Sequence, residues 1–245
     1  MKLSILLTLF LLSVLACTDE NTVNLSDLGS NSSEIESSLP SASTSDNDLL
    51  TPPPSLAPNP FVGTGKISIR ISPVTTARYV INEQLVNQSL PNDAVATTRD
   101  VDGEIIFNPE GILDRERSII KVNLRSLQSD SSRRDGYVQN NTLETERFPT
   151  ATLAIKETPG LPWPIPTSGS STFKIIGDMT IHGVTSTVQW QTQVVFNDGS
   201  VTGKAHTNFT FDKFGLKIPR VFVVISVEDN IRLEIDFTAI IDRNT

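Results

Sequence analysis

The chain has 245 residues, 38% of them apolar and 20% charged, and its formal net charge at pH 7 is −8. A negative balance argues against a nucleic-acid partner, because nucleic acids need basic side chains to replace their counterions. One cysteine and two histidines exclude a disulfide framework and argue against a metal centre built on these residue types. Residues 18–60 carry seven acids and no base, whereas 61–245 carry 19 bases against 21 acids, so the charge belongs to the N-terminal part.

The first residues have the pattern of a secretory signal. Lys2 precedes an apolar run from Ile5 to Ala16, which is too short to span a bilayer as a helix. The run ends in Val14-Leu15-Ala16-Cys17, which resembles the lipobox of bacterial lipoproteins. The resemblance implies a signal peptide over residues 1–16, a lipid anchor on Cys17, secretion across the cytoplasmic membrane and anchoring in the cell envelope. An ordinary signal peptide with a chance cysteine is the alternative.

Residues 17–60 have the composition of a disordered tether. They contain ten Ser, six Pro and seven acids, and no aromatic residue. Such a segment cannot bury enough apolar surface to offset the entropy of ordering. We interpret it as a spacer between membrane and domain, with a proline-rich ligand for a partner as the alternative.

From Lys66 onward the apolar residues mostly alternate with polar ones, which is typical of strands with one buried face. The alternating runs are Lys66–Ser72, Arg78–Leu85, Glu104–Phe107, Ser118–Arg125, Thr150–Lys156, Thr172–His182, Thr187–Asn197, Gly203–Asp212 and Asn230–Asp242, and Arg220–Glu228 is apolar on both faces. Turn residues are found at Val101–Gly103, Asn108–Gly111, Asn197–Gly199 and Glu228–Asn230. A sandwich or a barrel can bury these faces. We favour an all-β antiparallel barrel over residues 61–245.

One helix and one loop interrupt the strands. Arg134 to Glu146 is the best helix candidate, because Asp135 can accept N–H groups of its first turn. Its few apolar residues predict a short surface or lid helix. Leu161–Pro166 must be a loop, because its three prolines cannot donate to a sheet.

No catalytic constellation is readable, so the sequence predicts neither an enzyme nor a metal site. His182, at a predicted strand end, is either a polar contact at the barrel mouth or a residue that hydrogen-bonds the turn. Arg133, Arg134 and Asp135 are either a ligand clamp or an Arg–carboxylate pair that fixes the lid helix.

Three segments resemble the YceI-like family. Residues 133–156 read RRDGYVQNNTLETERFPTATLAIK, residues 176–185 read IGDMTIHGVT, and residues 209–216 read FTFDKFGL. The resemblance spans roughly 75–241. The chain departs from the common family pattern at Tyr79–Glu83 and at Asn141–Glu144, and the strand at 66–72 is expected to be an addition.

The resemblance implies a lipocalin-like barrel that binds a polyisoprenoid, an isoprenoid quinone or a related long-chain amphiphile, and it leaves a homodimer open. No other cofactor is expected. The ligand-lining candidates, all at predicted inward positions, are Ile120, Val122, Phe173, Ile175, Met179, Val188, Trp190, Val194, Phe209, Phe211, Leu233, Ile235 and Phe237. A filled barrel that serves as a structural or interaction protein of the envelope is the main alternative, and an enzyme is the third.

Overall fold

The computed structural model describes residues 65–243, so the predicted signal peptide, Cys17 and the tether lie outside the described residues. The elements in chain order are β1 (Ile67–Ile71), β2 (Thr76–Leu85), β3 (Asn92–Thr98), β4 (Val101–Phe107), β5 (Ile119–Asn123), β6 (Gln128–Ser129), α1 (Ser132–Tyr137), β7 (Thr150–Glu157), β8 (Gly169–Ile181), β9 (Val184–Asn197), β10 (Ser200–Phe209) and β11 (Val224–Asp242). Short helical turns lie at Leu124–Ser126, Val138–Thr142 and Phe211–Phe214. Within this region no helix is long and apolar enough to cross a bilayer.

The sheet closes on itself through β11, which has 19 residues and reaches from one end of the barrel to the other. β11 pairs with β10 along one edge, and with β2 and then β1 along the other. β1 and β2 are therefore two halves of one bent strand, and the pairs β3/β4 and β5/β6 continue one another in the same way. The result is an antiparallel barrel of eight strands, which confirms the predicted fold class. The segment at 66–72 is half of the first strand, so the expectation of an added strand was wrong.

The predicted helix is shorter than expected and begins earlier. The Ser131 hydroxyl accepts a hydrogen bond from the backbone N–H of Arg134 at 3.4 Å, so the first helical residue is Ser132. A single π turn over Val138–Thr142 follows the α-helix directly. The chain then stops being helical at Glu144, whose φ of 45° cannot continue a right-handed helix.

The last strand also differs from the prediction, which placed a turn at Glu228–Asn230. The structure has one continuous strand there, and the pairing with β2 shifts between Val227 and Ile231. Residues 228–230 lie opposite the single residue Asn82 of β2 and form a bulge. The carboxylate of Asp229 accepts a hydrogen bond from the backbone N–H of Phe211 at 2.8 Å. Residues 220–223, which were predicted as strand, precede the first strand residue, Val224.

β3 had no counterpart among the predicted strands. Its inward side chains include Ala94 and Ala96, which are buried but too small to give a strong alternating signal. The predicted turn at Val101–Gly103 lies inside β4. The predicted turn at Asn197–Gly199 is confirmed, because β9 and β10 are joined by the two residues Asp198 and Gly199.

One end of the barrel is closed by a compact apolar floor. Phe107, Phe173 and Phe196 are buried there with apolar neighbours from β1, β9, β10 and β11. The predicted loop at 161–166 covers this floor, and the rings of Trp163 and Phe107 lie 5.5 Å apart. Arg243 donates to the carbonyl oxygens of Ile165 and Pro166 and so holds the loop in place. This floor seals one end, so the interior can open only at the other end, where α1 lies.

Candidate functional site

The barrel contains an interior cavity of about 200 Å³. Nearly all of the residues that line it are apolar; the polar or charged ones are Arg78, Thr142, Thr152 and Glu234, together with the rings of Tyr79 and Trp190. For comparison, an apolar cavity of about 150 Å³ is large enough to bind benzene. The barrel is therefore hollow, and its interior suits a hydrocarbon rather than a polar metabolite.

Inward-facing side chains on several strands are only half-buried, although they point away from the outer surface. Ile81, Ile120, Ile175, Leu233 and Ile235 belong to this group, and all of them line the cavity. Neighbouring inward residues such as Tyr79 and Ile231 are buried. Most of these residues pack against the apolar cluster around the cavity but are not fully covered by it, so part of their surface faces the cavity.

Ten of the thirteen residues predicted to line a ligand lie on this cavity. They are Ile120, Val122, Ile175, Met179, Trp190, Phe209, Phe211, Leu233, Ile235 and Phe237. The other three are inward but lie elsewhere: Phe173 and Val194 belong to the floor, and Val188 is buried in the apolar cluster around the cavity without lining it. The alternating pattern assigns a side chain to the inner face of the barrel. The position of that side chain along the barrel axis decides whether it packs in the floor or lines the cavity.

Several lining residues were absent from the predicted set. Ile69, Ile71, Ile81 and Ile105 come from the first two bent strands, where alternation did place isoleucines on one face. Others come from the helical turns and loops at the open end, which carry no periodic signal; they are Leu127, Val138, Leu143, Leu216 and Pro219.

These last residues form the rim of the cavity. Val138, Thr142 and Leu143 come from the segment after α1, and Leu216 and Pro219 come from the loop before β11. We call residues 131–148 the lid segment, because they cover the end of the barrel opposite the floor. The lid segment and the loop before β11 therefore border the cavity at this end.

Arg134 and Asp135 hold the lid segment against the barrel. The Arg134 guanidinium donates to the carboxylate of Glu83 at 2.7 Å and also binds Asp130, and Glu83 is 7% exposed. Asp135 accepts hydrogen bonds from the backbone N–H and the hydroxyl of Ser129. These contacts agree with the hypothesis that an Arg–carboxylate pair fixes the lid helix, and not with the hypothesis of a ligand clamp. Arg133 is exposed.

Replacement of Arg134 by alanine is expected to lower the free energy of unfolding by about 2 kcal/mol, because Glu83 would stay buried without its partner. Urea unfolding measures this loss, and hydrogen exchange of residues 131–148 should become faster. Arg133→Ala is the matched control, with an expected change within about 0.5 kcal/mol. Equal stabilities of the two variants would show that the ion pair does not hold the lid segment.

His182 is the link between the β8–β9 turn and the lid segment. Its φ is 53°, its Nε2 lies 3.2 Å from Oε1 of Glu144, and its ring meets that of Phe148 edge-on at 4.7 Å. The hydrogen bond to His182, together with that from Arg147, lowers the pKa of Glu144 below its usual value. His182 thus contacts the lid segment and not the cavity.

Tyr79 is a buried phenol on the cavity wall, 8% exposed. Burial raises its pKa to about 12, because the phenolate would be poorly solvated among apolar side chains.

A spectrophotometric titration at 295 nm tests this environment, because the chain has only two tyrosines, Tyr79 and Tyr137. One phenol should stay protonated until about pH 12. The unfolded state would lose this proton near pH 10, so the stability that Tyr79 contributes is present below about pH 10 and is lost as the pH rises to about 12. Tyr79→Phe should remove the late ionisation. Circular dichroism at each pH must show a folded protein. If the high-pH ionisation persists in the variant, its assignment to Tyr79 is wrong.

No set of three or more His, Cys, Asp or Glu residues within 65–243 is placed to hold a metal ion.

The comparisons with known proteins agree with this geometry. The model of the YceI-like domain matches residues 66–239. No curated protein matches the chain. A polyisoprenoid binding domain from Saccharophagus degradans has a similar structure, with 9% sequence identity and a TM-score of 0.57 over 71% of this chain and 98% of that one. BcnA from Burkholderia cenocepacia is also similar, with 12% identity and a TM-score of 0.50 over 69% of this chain and 98% of BcnA. At these identities the similarity shows the fold.

Proposed function

Because the chain belongs to the YceI-like family, we propose that it binds lipid, and that it holds a polyisoprenoid, an isoprenoid quinone or a similar long-chain amphiphile inside the barrel. One observation carries the proposal: the cavity is apolar, is sealed by a floor at one end, and is lined by inward side chains that are only partly covered by their neighbours. A filled barrel would leave no such space.

Apolar burial supplies the binding energy in this proposal. Each CH₂ group that leaves water contributes about 0.8 kcal/mol before the costs of association. The cavity of about 200 Å³ takes only part of a long chain, so the remainder has to extend past the rim. The solved domain of similar fold that is described as polyisoprenoid binding supports this class of ligand.

Membrane attachment completes the proposal. Cys17 would carry the lipid anchor, and residues 18–60 would form the spacer that lets the barrel reach the membrane from the extracytoplasmic side. Two or more acyl chains are needed for stable attachment. Mass spectrometry of the N-terminal peptide of the mature protein tests this part, with Cys17→Ser as the control, and an unmodified Cys17 in the secreted chain would overturn it.

The ligand can be tested on material that has folded as the full chain. A protease site placed in residues 56–60 would release the barrel, and organic extraction with native mass spectrometry would then identify any bound molecule. A stoichiometric lipid of isoprenoid mass is the expected result. A barrel that is bare, and stays bare after incubation with polyprenyl lipids and quinones, would contradict the proposal.

An interaction protein of the envelope is the second candidate, and one surface feature favours it. Phe222 is 98% exposed, and Val223, Ile225 and Val86 are exposed beside it near the rim. A backbone hydrogen bond between Val86 and Val223 makes these residues one apolar patch. Patches of this kind often mark contact with a partner. This candidate would gain support only if the barrel proves to be bare.

A further inference from the structure

A group of large apolar side chains lies uncovered on the surface next to the rim of the cavity. Phe222 is 98% exposed, and Val223, Ile225 and Val86 are exposed with it. The backbone N–H of Val86 donates to the carbonyl oxygen of Val223 at 3.1 Å, which joins the loop after β2 to the segment before β11. We call these four residues the rim patch. An exposed apolar patch of this kind marks a contact site for a protein or a membrane.

The rim patch lies at the lid end of the barrel. β11 begins within the patch, at Val224, and its far end belongs to the floor through Ala239 and Ile241. Pro219, three residues before Phe222, lines the cavity. The rim patch is therefore next to the border of the cavity and far from the floor.

The charged side chains in this part of the surface are basic. Residues 213–227 contain no acid, and the nearest acids in the sequence are Asp212 and Glu228. The exposed bases of this segment are Lys213, Lys217 and Arg220. None of the three pairs with an acidic side chain among residues 65–243. The loop at 86–91 carries no charge at all. The apolar side chains are thus accompanied by positive charge that no acid of the barrel neutralises.

We propose that the rim patch docks on the surface of a lipid bilayer that contains anionic lipids. Phe222 and its apolar neighbours enter the boundary between headgroups and acyl chains, and the three bases lie among the headgroups. Apolar side chains with flanking Lys and Arg are the combination that binds to such a boundary, because burial and electrostatic attraction act together.

A bilayer suits the rim patch better than the acidic segment at 18–60 does. That segment carries seven acids and could neutralise the bases, but it is rich in Ser and Pro and has no aromatic residue, so it would cover little of Phe222. A bilayer supplies an apolar layer and negative headgroups side by side in one plane. It therefore complements both the apolar side chains and the charges.

Docking in this orientation holds the lid segment, and not the floor, next to the membrane. A lipid that moves between the bilayer and the cavity would then expose little of its apolar surface to water on the way. This consequence rests on the proposed function, whereas the docking itself does not.

Vesicle co-sedimentation tests the docking on the barrel that is released from the full chain as described above. The probes are vesicles of phosphatidylcholine alone and of an equimolar mixture of phosphatidylcholine and phosphatidylglycerol. We expect the barrel to bind the mixed vesicles, to bind the neutral ones more weakly, and to lose affinity for the mixed vesicles as salt is added. Equal binding to both vesicles would overturn the role of the bases.

Two variants of the patch have matched controls at the floor end. Phe222→Ala should weaken binding to the mixed vesicles about tenfold, and Lys217→Gln about fivefold. Ile112→Ala removes another exposed apolar side chain, which is next to Leu113 of the floor, and should leave binding unchanged. Lys174→Gln removes an exposed base next to Phe173 of the floor and should also have no effect.

Fluorescence shows which side chain enters the bilayer. The emission of a tryptophan introduced as Phe222→Trp should shift to shorter wavelength when mixed vesicles are added, because the indole leaves water. Ile112→Trp is the control and should show no shift. A shift in the control and not in Phe222→Trp would mean that the floor end faces the membrane, which contradicts the proposal.

The outcomes separate the docking from the proposed function. A barrel that yields lipid on extraction but does not bind vesicles would leave the proposed function standing and overturn the docking. Vesicle binding by a bare barrel would support the docking and contradict the proposed function. If vesicles do not bind, and a peptide of residues 18–60 or a second copy of the barrel covers Phe222 instead, the bilayer is the wrong partner.

Discussion

Replacement of Ile235 by glutamate should abolish lipid binding while the barrel stays folded. Ile235 lies on the cavity wall and is half-buried, so the new side chain has room but no partner. A carboxylate there would have to stay charged among apolar groups or take up a proton, and either cost opposes the entry of a hydrocarbon. We expect a loss in affinity of about a hundredfold or more, since a penalty of roughly 3 kcal/mol already has this effect.

Ile240→Glu is the matched control, because Ile240 is on the same strand but is 53% exposed on the outer face. It should retain the lipid in the extraction experiment and bind added lipid as the wild type does. Circular dichroism establishes that both variants are folded. Ala151→Phe offers a test without a charge, because it fills the cavity from β7 and should also exclude the ligand. Lipid retained by folded Ile235→Glu and Ala151→Phe would place the binding site elsewhere.

The largest loss of stability is expected for Phe214→Ala. Phe214 is fully buried, and its ring packs edge-to-face against Phe209 at 4.7 Å. Loss of a buried phenylalanine costs the transfer free energy of the ring and leaves a cavity, together about 3–5 kcal/mol. For a domain of this size the melting temperature should fall by about 10 °C. Thermal and urea unfolding measure both quantities.

Phe222→Ala is the control for this variant, since the same residue type eight positions later is 98% exposed. Its stability should stay within about 0.5 kcal/mol of the wild type. A similar loss in both variants would mean that residues 222–225 pack against the barrel in solution. A small loss in Phe214→Ala alone would show that the core near the rim collapses readily around a smaller side chain.

The pattern of alternation was sufficient to predict an all-β fold and most of the cavity wall. In β9 the residues Val188, Trp190, Thr192, Val194 and Phe196 all face inward, as their spacing predicts, because successive side chains of a strand point to opposite faces. Turn residues at Asn197–Gly199 were equally informative, because a two-residue turn is a local property of the chain. Both signals arise from neighbours in sequence.

Structural features that depend on contacts between residues far apart in the sequence were missed or wrongly predicted. The turn residues at 228–230 form a bulge, because pairing with β2 on both sides of them keeps the strand continuous. β3 is held by its pairing with β2 and β6, not by its own small side chains. The role of Arg134 depends on its contact with Glu83, which lies 51 residues earlier in the chain, and only the structure shows this contact.

By itself, the sequence determined that this protein consists of antiparallel strands with one apolar face each, since alternation and turn chemistry are local. Only the tertiary structure decided that the sheet closes into a barrel, that this barrel is hollow, and that Phe173 and Val194 belong to its floor. The physical reason is that a cavity is a property of packing across the barrel. Whether an inward side chain packs against another depends on its distance from side chains of the opposite strands. The pattern of residues along a single strand contains no information about this distance.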